Sequence, residues 1–171
     1  MLTQKIKNIV LIGFMCAGKS TVGDALASKI CKKFCEMDDA VRSLSEKTST
    51  MEIFDEEGER QFREYEIQIA KRLSKERDAV IATGGGVVMN KINIDYLRET
   101  GKIIFLQVSF EEVQRRLQHD RPRPLFRDVD LARDLYTFRE PLYRKYSDIM
   151  INVDNKTPET IVNEIINMVG I

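Results

Sequence analysis

The chain has 171 residues, enough to bury a full hydrophobic core and few enough that we expect one domain spanning residues 1–171. Its 27 Lys and Arg residues balance 27 Asp and Glu residues, so no overall charge directs it to nucleic acid or to an acidic surface. No apolar run approaches the roughly 20 residues of a membrane helix, and the first residues leave no room for a signal peptide before the first apolar segment. We therefore expect a cytoplasmic protein.

The first predicted element is a strand at residues 8–12, and the loop that follows it defines the chain. Residues 13–20 fit the pattern G-x-x-x-x-G-K-[ST] at every fixed position, and residues 21–33 then carry apolar side chains at helical spacing. Glycines let backbone N–H groups point inward, and the helix N-terminus adds the positive end of its dipole. Lys19 is expected to reach the β- and γ-phosphates and the Ser20 hydroxyl to ligate Mg²⁺. The loop predicts binding of a nucleoside triphosphate, without identifying the phosphate acceptor.

Four further runs with strand-like composition follow, at roughly residues 34–37, 79–83, 102–108 and 149–153. The cores of the runs at 79–83 and 102–108 are continuously apolar, which is typical of strands covered on both faces, so we expect these two strands to be central. Helical patterns separate the strands, as in a parallel sheet wrapped by helices. The predicted fold class is therefore α/β, with a five-stranded parallel sheet between layers of helices.

Three helix starts carry recognisable capping patterns. Residues 49–52 and 109–112 read as capping boxes, and Thr157 precedes a proline at the first helical position, Pro158. The final helix is expected at residues 158–169.

Two stretches interrupt the alternation of strands and helices. Residues 38–76 are mostly helical and charged, whereas residues 118–129 are too rich in proline and arginine for a helix and predict a basic flap. An arginine brought in by a closing segment neutralises a transferring phosphoryl group and excludes water from it. Arg123, between Pro122 and Pro124, is the candidate for that role.

Other residues in and before the flap have weaker roles. Arg121 and Arg127 are secondary candidates for the same task as Arg123, and Arg116, one turn before the flap, is placed to stack on adenine. His119 is the only histidine, and we expect it to be a surface residue without a chemical role.

The three cysteines, Cys16, Cys31 and Cys35, lack the paired spacing of a zinc site and suit a reducing compartment. We expect Cys31 and Cys35 to be packing residues. Cys16 lies inside the phosphate loop at a helix N-terminus, a position that favours a reactive thiol. Alkylation of Cys16 is therefore expected to abolish activity, and ATP to protect against it.

Acidic residues follow the second predicted strand. Glu36 and Asp38 would lie beside the phosphate loop if the sheet is parallel, because ligands bind along the carboxyl edge of such sheets. A carboxylate there can hold Mg²⁺ through its water shell or accept a proton from an attacking hydroxyl. The alternative is that Glu36, Asp38 and Asp39 only begin a solvated helix.

Three glycines and two arginines complete the candidate acceptor side. Gly84, Gly85 and Gly86 end the third strand and allow a ligand to approach backbone N–H groups closely, although a flexible turn would have the same sequence. Arg63 and Arg139 lie on predicted helices that flank the same edge, where the planar guanidinium suits a carboxylate or phosphate. Either arginine alone would more often be a surface residue.

Together these motifs resemble the shikimate kinase family, small members of the nucleoside-monophosphate-kinase-like P-loop proteins. The resemblance extends from Gly13 to about Pro158. It rests on the order and spacing of the phosphate loop at residues 13–20, Asp38, Phe62-Arg63 with Glu66, Gly84-Gly85-Gly86, Arg123-Pro124-Leu125, and Arg139 with Pro141-Leu142-Tyr143.

The resemblance implies an ATP- and Mg²⁺-dependent phosphorylation of the 3-hydroxyl of shikimate, the fifth step of the route to chorismate and aromatic amino acids. It also implies a strand order of 2-3-1-4-5, a monomer, an acceptor-binding segment at about 38–66 and a lid at about 118–129. No nucleic acid or membrane partner is expected.

The resemblance also implies residue roles. Asp38 would bind and polarise the hydroxyl. Arg63, Arg139 and the backbone of Gly85 would hold the acceptor, and Lys19 and Arg123 would stabilise the transferring group. Ser20 and Glu36 would hold the metal. The residues expected around ATP are Gly13, Cys16, Ala17, Gly18, Lys19, Ser20, Thr21, Arg116 and Arg123, and adenine contacts are also expected at residues 154–158.

The chain departs from the family pattern after the second strand. Family members usually have Asp-x-Asp there, whereas this chain has Glu36-Met37-Asp38. The additional methylene of Glu36 moves its carboxylate by about one carbon–carbon bond. We expect Glu36→Asp to retain activity.

Two alternatives remain at this stage. Other kinases of the same fold, such as gluconate kinase and the nucleoside monophosphate kinases, share the phosphate loop, although Asp38 would repel a monophosphate dianion. A switch that binds ATP without phosphorylating a small molecule would need neither an acceptor acid nor paired arginines.

Overall fold

A computed structural model describes residues 8–119 and 129–171 of the chain. Its five strands form one sheet in the order β2-β3-β1-β4-β5, and every neighbouring pair is parallel. The strands are β1 (Asn8–Ile12), β2 (Lys33–Glu36), β3 (Ala79–Ala82), β4 (Gly101–Gln107) and β5 (Ile149–Asn152). The helices are α1 (Lys19–Lys29), α2 (Met37–Ser45), α3 (Thr50–Leu73), α4 (Lys91–Arg98), α5 (Phe110–His119), α6 (Val129–Tyr146) and α7 (Pro158–Val169), with a 3₁₀ turn at Val87–Met89.

The expected fold class, strand count and strand order are confirmed. The two runs expected to be central are β3 and β4, which lie on either side of β1. Where strand bounds differ from the predicted ones, they differ by one residue, and Met37, Thr83, Val108 and Val153 lie outside the strands to which they were assigned. Met37 instead begins α2, because the chain turns into a helix directly after Glu36.

Parallel pairing places the three functional loops at one edge of the sheet. Leu11 in β1 pairs with Ala82 in β3, and Glu36 in β2 pairs with the same Ala82. The loops that follow β1, β2 and β3 therefore leave the sheet side by side. All five residues of β1 are buried, so this edge is anchored in the centre of the core.

At the opposite edge of the sheet, the fully buried side chain of Asn8 forms hydrogen bonds with neighbouring segments. Its side-chain amide donates to the Glu76 carbonyl at 2.8 Å and to the Thr100 hydroxyl at 2.9 Å, and its Oδ1 accepts from the Ala79 N–H at 3.1 Å. One side chain thus links β1 to the segments that enter β3 and β4.

The predicted helix starts are confirmed in position, but the capping boxes are only half formed. The Ser49 hydroxyl accepts from the Glu52 N–H at 3.1 Å, whereas the Glu52 carboxylate accepts from the Thr48 N–H instead of that of Ser49. Ser109 caps α5 in the same way, but its expected partner Glu112 pairs with two arginines further along the helix.

Two other expectations are wrong. Cys31 is exposed instead of packed, since it lies in the turn between α1 and β2, whereas Cys35 in β2 is buried as expected. The ends of the predicted flap are helical, since α5 continues to His119 and α6 begins at Val129. Arg121, Arg123 and Arg127 lie outside the described residues.

None of the described helices is long and apolar enough to cross a membrane.

Candidate active site

The phosphate loop is held in a fixed shape by its glycines and by two buried side chains. Gly13 and Gly18 have φ values of 151° and 87°, which L-residues rarely adopt, and a Cβ at Gly13 would lie 2.7 Å from the Leu106 carbonyl oxygen. Phe14 and Ala17 point into the core, where the Phe14 ring meets that of Tyr136 edge-on at a centroid distance of 5.2 Å. The loop is therefore fixed from beneath while its outer side faces a cavity.

Lys19 folds back over this loop. Its ammonium group donates to the carbonyl oxygens of Gly13 and Phe14, both at 2.9 Å. These bonds hold the positive charge over the inward-facing backbone, where it adds to the dipole of α1. The arrangement suits the phosphate groups of a nucleotide.

Arg116 on α5 joins the loop to the far side of the cavity. It donates to the Glu112 carboxylate at 2.8 Å, to the Cys16 carbonyl at 2.9 Å and to the Val153 carbonyl at 2.9 Å. Three bonds from one guanidinium fix the orientation of its plane. Pro158, which belongs to the segment expected to contact adenine, lines the same cavity.

Glu36 and Ser20, the two candidate metal ligands, face each other in the candidate site. Burial raises the pKa of the Glu36 carboxyl, while a hydrogen bond from the Ser20 hydroxyl opposes this shift. Hydroxyl and carboxylate oxygens are ligands that Mg²⁺ accepts beside water and phosphate. In the described part of the chain, no three His, Cys, Asp or Glu residues form a cluster of their own that would hold a metal, so these two residues suit a cation that is also held by the nucleotide.

The acceptor side is built around a buried ion pair. Arg63 Nη1 donates to Glu66 Oε2 at 2.6 Å, and the Glu66 side chain is only 2% exposed. Burial raises the pKa of Glu66, against the effect of the neighbouring Arg63. The outer nitrogen of Arg63 is held by Glu59 at 3.0 Å. The guanidinium is thus fixed at the wall of the cavity.

Tyr143 on α6 connects two more candidate residues. Its hydroxyl donates to the Gly85 carbonyl and accepts from Arg139, and its ring stacks on Phe105 of β4 at a centroid distance of 5.2 Å. Burial raises the pKa of this phenol, so it remains protonated and able to donate. Among the described residues, Arg139 Nε is buried without a hydrogen-bond partner.

The glycine turn after β3 passes directly under these side chains. A Cβ at Gly84 would lie 2.6 Å from Asp38 Oδ1, and a Cβ at Gly86 would lie 2.3 Å from Arg63 Nη1. The Asp38 carboxylate and the Arg63 guanidinium therefore rest against bare backbone, and a side chain at either glycine would displace them.

One cavity of about 980 Å³ brings almost all the candidate residues together. Gly13 does not line it but supplies a carbonyl to Lys19, Asn155 is not among its lining residues, and Arg123 lies outside the described part of the chain. The candidates that line it are Cys16, Ala17, Gly18, Lys19, Ser20, Thr21, Glu36, Asp38, Arg63, Gly85, Arg116 and Arg139.

A family model for shikimate kinase matches residues 15–170. The chain belongs to the shikimate kinase family. A curated shikimate kinase from Caldicellulosiruptor bescii is 41% identical over 167 residues, which cover 95% of this chain and 95% of the relative. A shikimate kinase from Acinetobacter baumannii, solved in complex with shikimate, is 30% identical with a TM-score of 0.89 and covers 97% of this chain and 94% of that chain. A gluconokinase from Sinorhizobium meliloti is 20% identical with a TM-score of 0.62, which shows a shared fold alone.

Membership of this family bears on the two alternatives that the sequence motifs left open. It identifies the chain as a kinase and not as a nucleotide-dependent switch, and it favours shikimate over gluconate as the acceptor.

Sequence reasoning assigned no role to two residues that shape the site. Tyr143 belonged to a recognised motif, but nothing in its spacing indicated that its hydroxyl reaches Gly85. Gly58 lies inside a long helical pattern, and a glycine there is a signal for a helix break that the pattern alone does not resolve.

Proposed function

We propose that this protein transfers the γ-phosphoryl group of ATP to the 3-hydroxyl of shikimate in the presence of Mg²⁺. The observation that carries the proposal is that Arg63 and Arg139 line one cavity together with Asp38 and the phosphate loop. A planar guanidinium is suited to a carboxylate, which it can bind through two parallel hydrogen bonds. The carboxylate of shikimate is such a ligand, and the ion pair with Glu66 holds the Arg63 guanidinium in place for it.

The reacting hydroxyl is assigned to Asp38. Its carboxylate rests on the glycine turn, within the same cavity as the phosphate loop, and a carboxylate at this position can polarise the hydroxyl and accept its proton. Acceptor hydroxyl and phosphate groups then meet between β1 and β3, where a fixed separation lowers the entropy cost of the reaction.

The donor end uses the residues that bind phosphate. Lys19 and the backbone of the loop bind the transferring group, and Arg123 is proposed to reach it from the segment between α5 and α6. Ser20 and Glu36 would hold Mg²⁺, which neutralises phosphate charge when bound. The fixed plane of Arg116 and the side chain of Pro158 are proposed to enclose adenine. The proposal further includes a monomer with one domain in the cytoplasm.

The test is ADP release by purified protein with Mg·ATP, run in parallel with shikimate, gluconate, nucleoside monophosphates and no acceptor. Shikimate-dependent release, abolished by EDTA and restored by Mg²⁺, is the expected result. Release with gluconate but not shikimate would refute the acceptor assignment. Binding of ATP without release in any arm would refute phosphoryl transfer itself.

A further inference from the structure

Helix α3 is interrupted at Gly58. The residue has φ 83° and ψ 166°, a combination that is essentially restricted to glycine. The segments before and after it are helical, so the backbone turns at this one residue. Helices are bent sharply only where a specific cause is present, and here the cause is the glycine.

Contacts across Gly58 show how far the helix is bent. Residues eight apart on a straight helix are separated by about 12 Å along its axis. Nevertheless, the rings of Phe54 and Phe62 have centroids 4.5 Å apart, and the Tyr65 hydroxyl donates to Glu57 at 2.8 Å. Both pairs meet because the part of α3 before Gly58 folds back towards the part after it.

The bend also forms part of the cavity wall. The guanidinium carbon of Arg63 lies 6.0 Å from the centre of the Phe54 ring and 5.3 Å from that of Phe62. All three side chains line the cavity at its acceptor end. A straight helix would carry Phe54 about 13 Å along the axis away from Arg63 and open this wall.

We propose that Gly58 is a positioning residue for the acceptor, because its backbone conformation places Phe54 over Arg63 and so sets the shape of the acceptor pocket. The inference rests on the proposed function, since shikimate is taken to be the acceptor. A Cβ at Gly58 would meet no atom of the described residues within 4 Å. Alanine at this position therefore changes the backbone preference without a steric clash.

The experiment compares Gly58→Ala with the wild-type enzyme. We expect the Kd and KM for shikimate to rise at least about fivefold, while kcat and the KM for ATP stay within about twofold. Gly170→Ala is the matched control, because Gly170 also has a positive φ of 75° and open space around it but ends α7. D-alanine at position 58, introduced by chemical ligation, favours positive φ and is expected to restore shikimate binding.

If Gly58→Ala does not fold, a second variant tests whether the bend in α3 affects shikimate binding. Tyr65→Phe removes a contact that spans the bend and leaves the backbone preference unchanged, so shikimate binding is expected to weaken while Glu64→Ala, at an exposed neighbour, has no effect. A folded Gly58→Ala enzyme that binds shikimate like the wild type would overturn the inference alone. Wild-type protein that neither binds nor phosphorylates shikimate would overturn the proposed function as well.

Discussion

Asp38 is the residue on which the proposed chemistry depends most directly. Asp38→Asn keeps the size of the side chain but removes the charge that accepts a proton, so we expect kcat to fall by roughly 10²- to 10⁴-fold. Shikimate affinity should change little, because the arginines remain. Steady-state kinetics and calorimetric binding would measure the two effects separately.

Asp39 provides the control for this substitution. It is the next carboxylate on α2, but it is exposed and pairs with Arg42. Asp39→Asn should therefore leave kcat unchanged. Near-normal turnover by Asp38→Asn would exclude a role for this carboxylate in activating the hydroxyl.

Tyr143 carries a second prediction at the residue level. Tyr143→Phe leaves the Gly85 carbonyl and the Arg139 guanidinium without their shared partner, so we expect the KM for shikimate to rise about 5- to 30-fold. Tyr136→Phe is the matched control, since Tyr136 lies on the same helix and donates to the Val108 carbonyl. Equal KM values for shikimate in the two variants would contradict a specific role for Tyr143.

Individual residues differ in how far the sequence predicts them. The roles of Lys19 and Ser20 were predicted from a local motif, because all its fixed positions lie within residues 13–20. The contact between Tyr143 and Gly85 joins residues 58 positions apart, and no periodicity reports such a distance. Arg116 was expected to stack on adenine, but its bonds to Cys16 and Val153 depend on how α5 docks against the loop.

Helix α5 has a charge arrangement that predicts a pH effect. Hydrogen bonds from Arg115, and then from Arg116, lower the pKa of Glu112 from its ordinary 4.5 to about 2. A depressed folded-state pKa stabilises the fold fully above the unfolded value and loses that contribution as the pH falls. The contribution of Glu112 should therefore decline between about pH 4.5 and 2.

Urea unfolding of Glu112→Gln and the wild type across this pH range tests the prediction. The difference in unfolding free energy should be largest above pH 4.5 and should shrink towards pH 2. Glu111→Gln, at the exposed neighbouring position, is the matched control for the loss of one carboxylate from α5. A constant difference for Glu112→Gln at every pH would show that its ionisation does not contribute.

Secondary-structure elements were predicted well where an apolar run or a capping pattern marked them, and less well where the backbone changes direction inside a helix. The strands and the final helix follow from apolar runs and from Thr157-Pro158, and their bounds differ by about one residue from those observed. In α3, residues 55–61 carry no apolar side chain, so no apolar pattern indicates whether the helix runs straight through Gly58. The direction that the chain takes after Gly58 brings Phe54 and Phe62 together, and a local pattern does not contain such a contact.

The stability of the whole sheet is expected to depend on Asn8, which lies at the edge opposite the candidate active site. Asn8→Ala removes three side-chain hydrogen bonds and leaves the Ala79 N–H buried without its acceptor. We expect the free energy of unfolding to fall by about 2–4 kcal/mol, which corresponds to a decrease of roughly 5–15 °C in melting temperature. Calorimetry would measure it, and the KM values should not change.

Asn163→Ala is the corresponding surface substitution. Asn163 accepts an exposed hydrogen bond from Lys29 at 2.7 Å, so its loss should alter stability by less than about 0.5 kcal/mol. If both asparagine variants melted alike, the network around Asn8 would not contribute to stability as proposed.

At the scale of the molecule, the alternation of strands and helices predicted a parallel sheet, whereas the strand order came from the resemblance to a family. Alternation alone allows several orders, because the pairing of β3 with both β1 and β2 depends on contacts between distant segments. The order matters for function, since it places the loops after β1 and β3 next to each other.

The bare glycine turn after β3 has a consequence for chemical inhibition. A compound bound between Asp38 and Arg63 would lie against side chains that themselves rest on Gly84 and Gly86. A side chain introduced at either glycine would have to displace one of these two groups. A substitution there that weakened the compound would therefore also disturb the residues proposed to hold shikimate. We expect resistance at these two positions to appear only together with weaker shikimate binding.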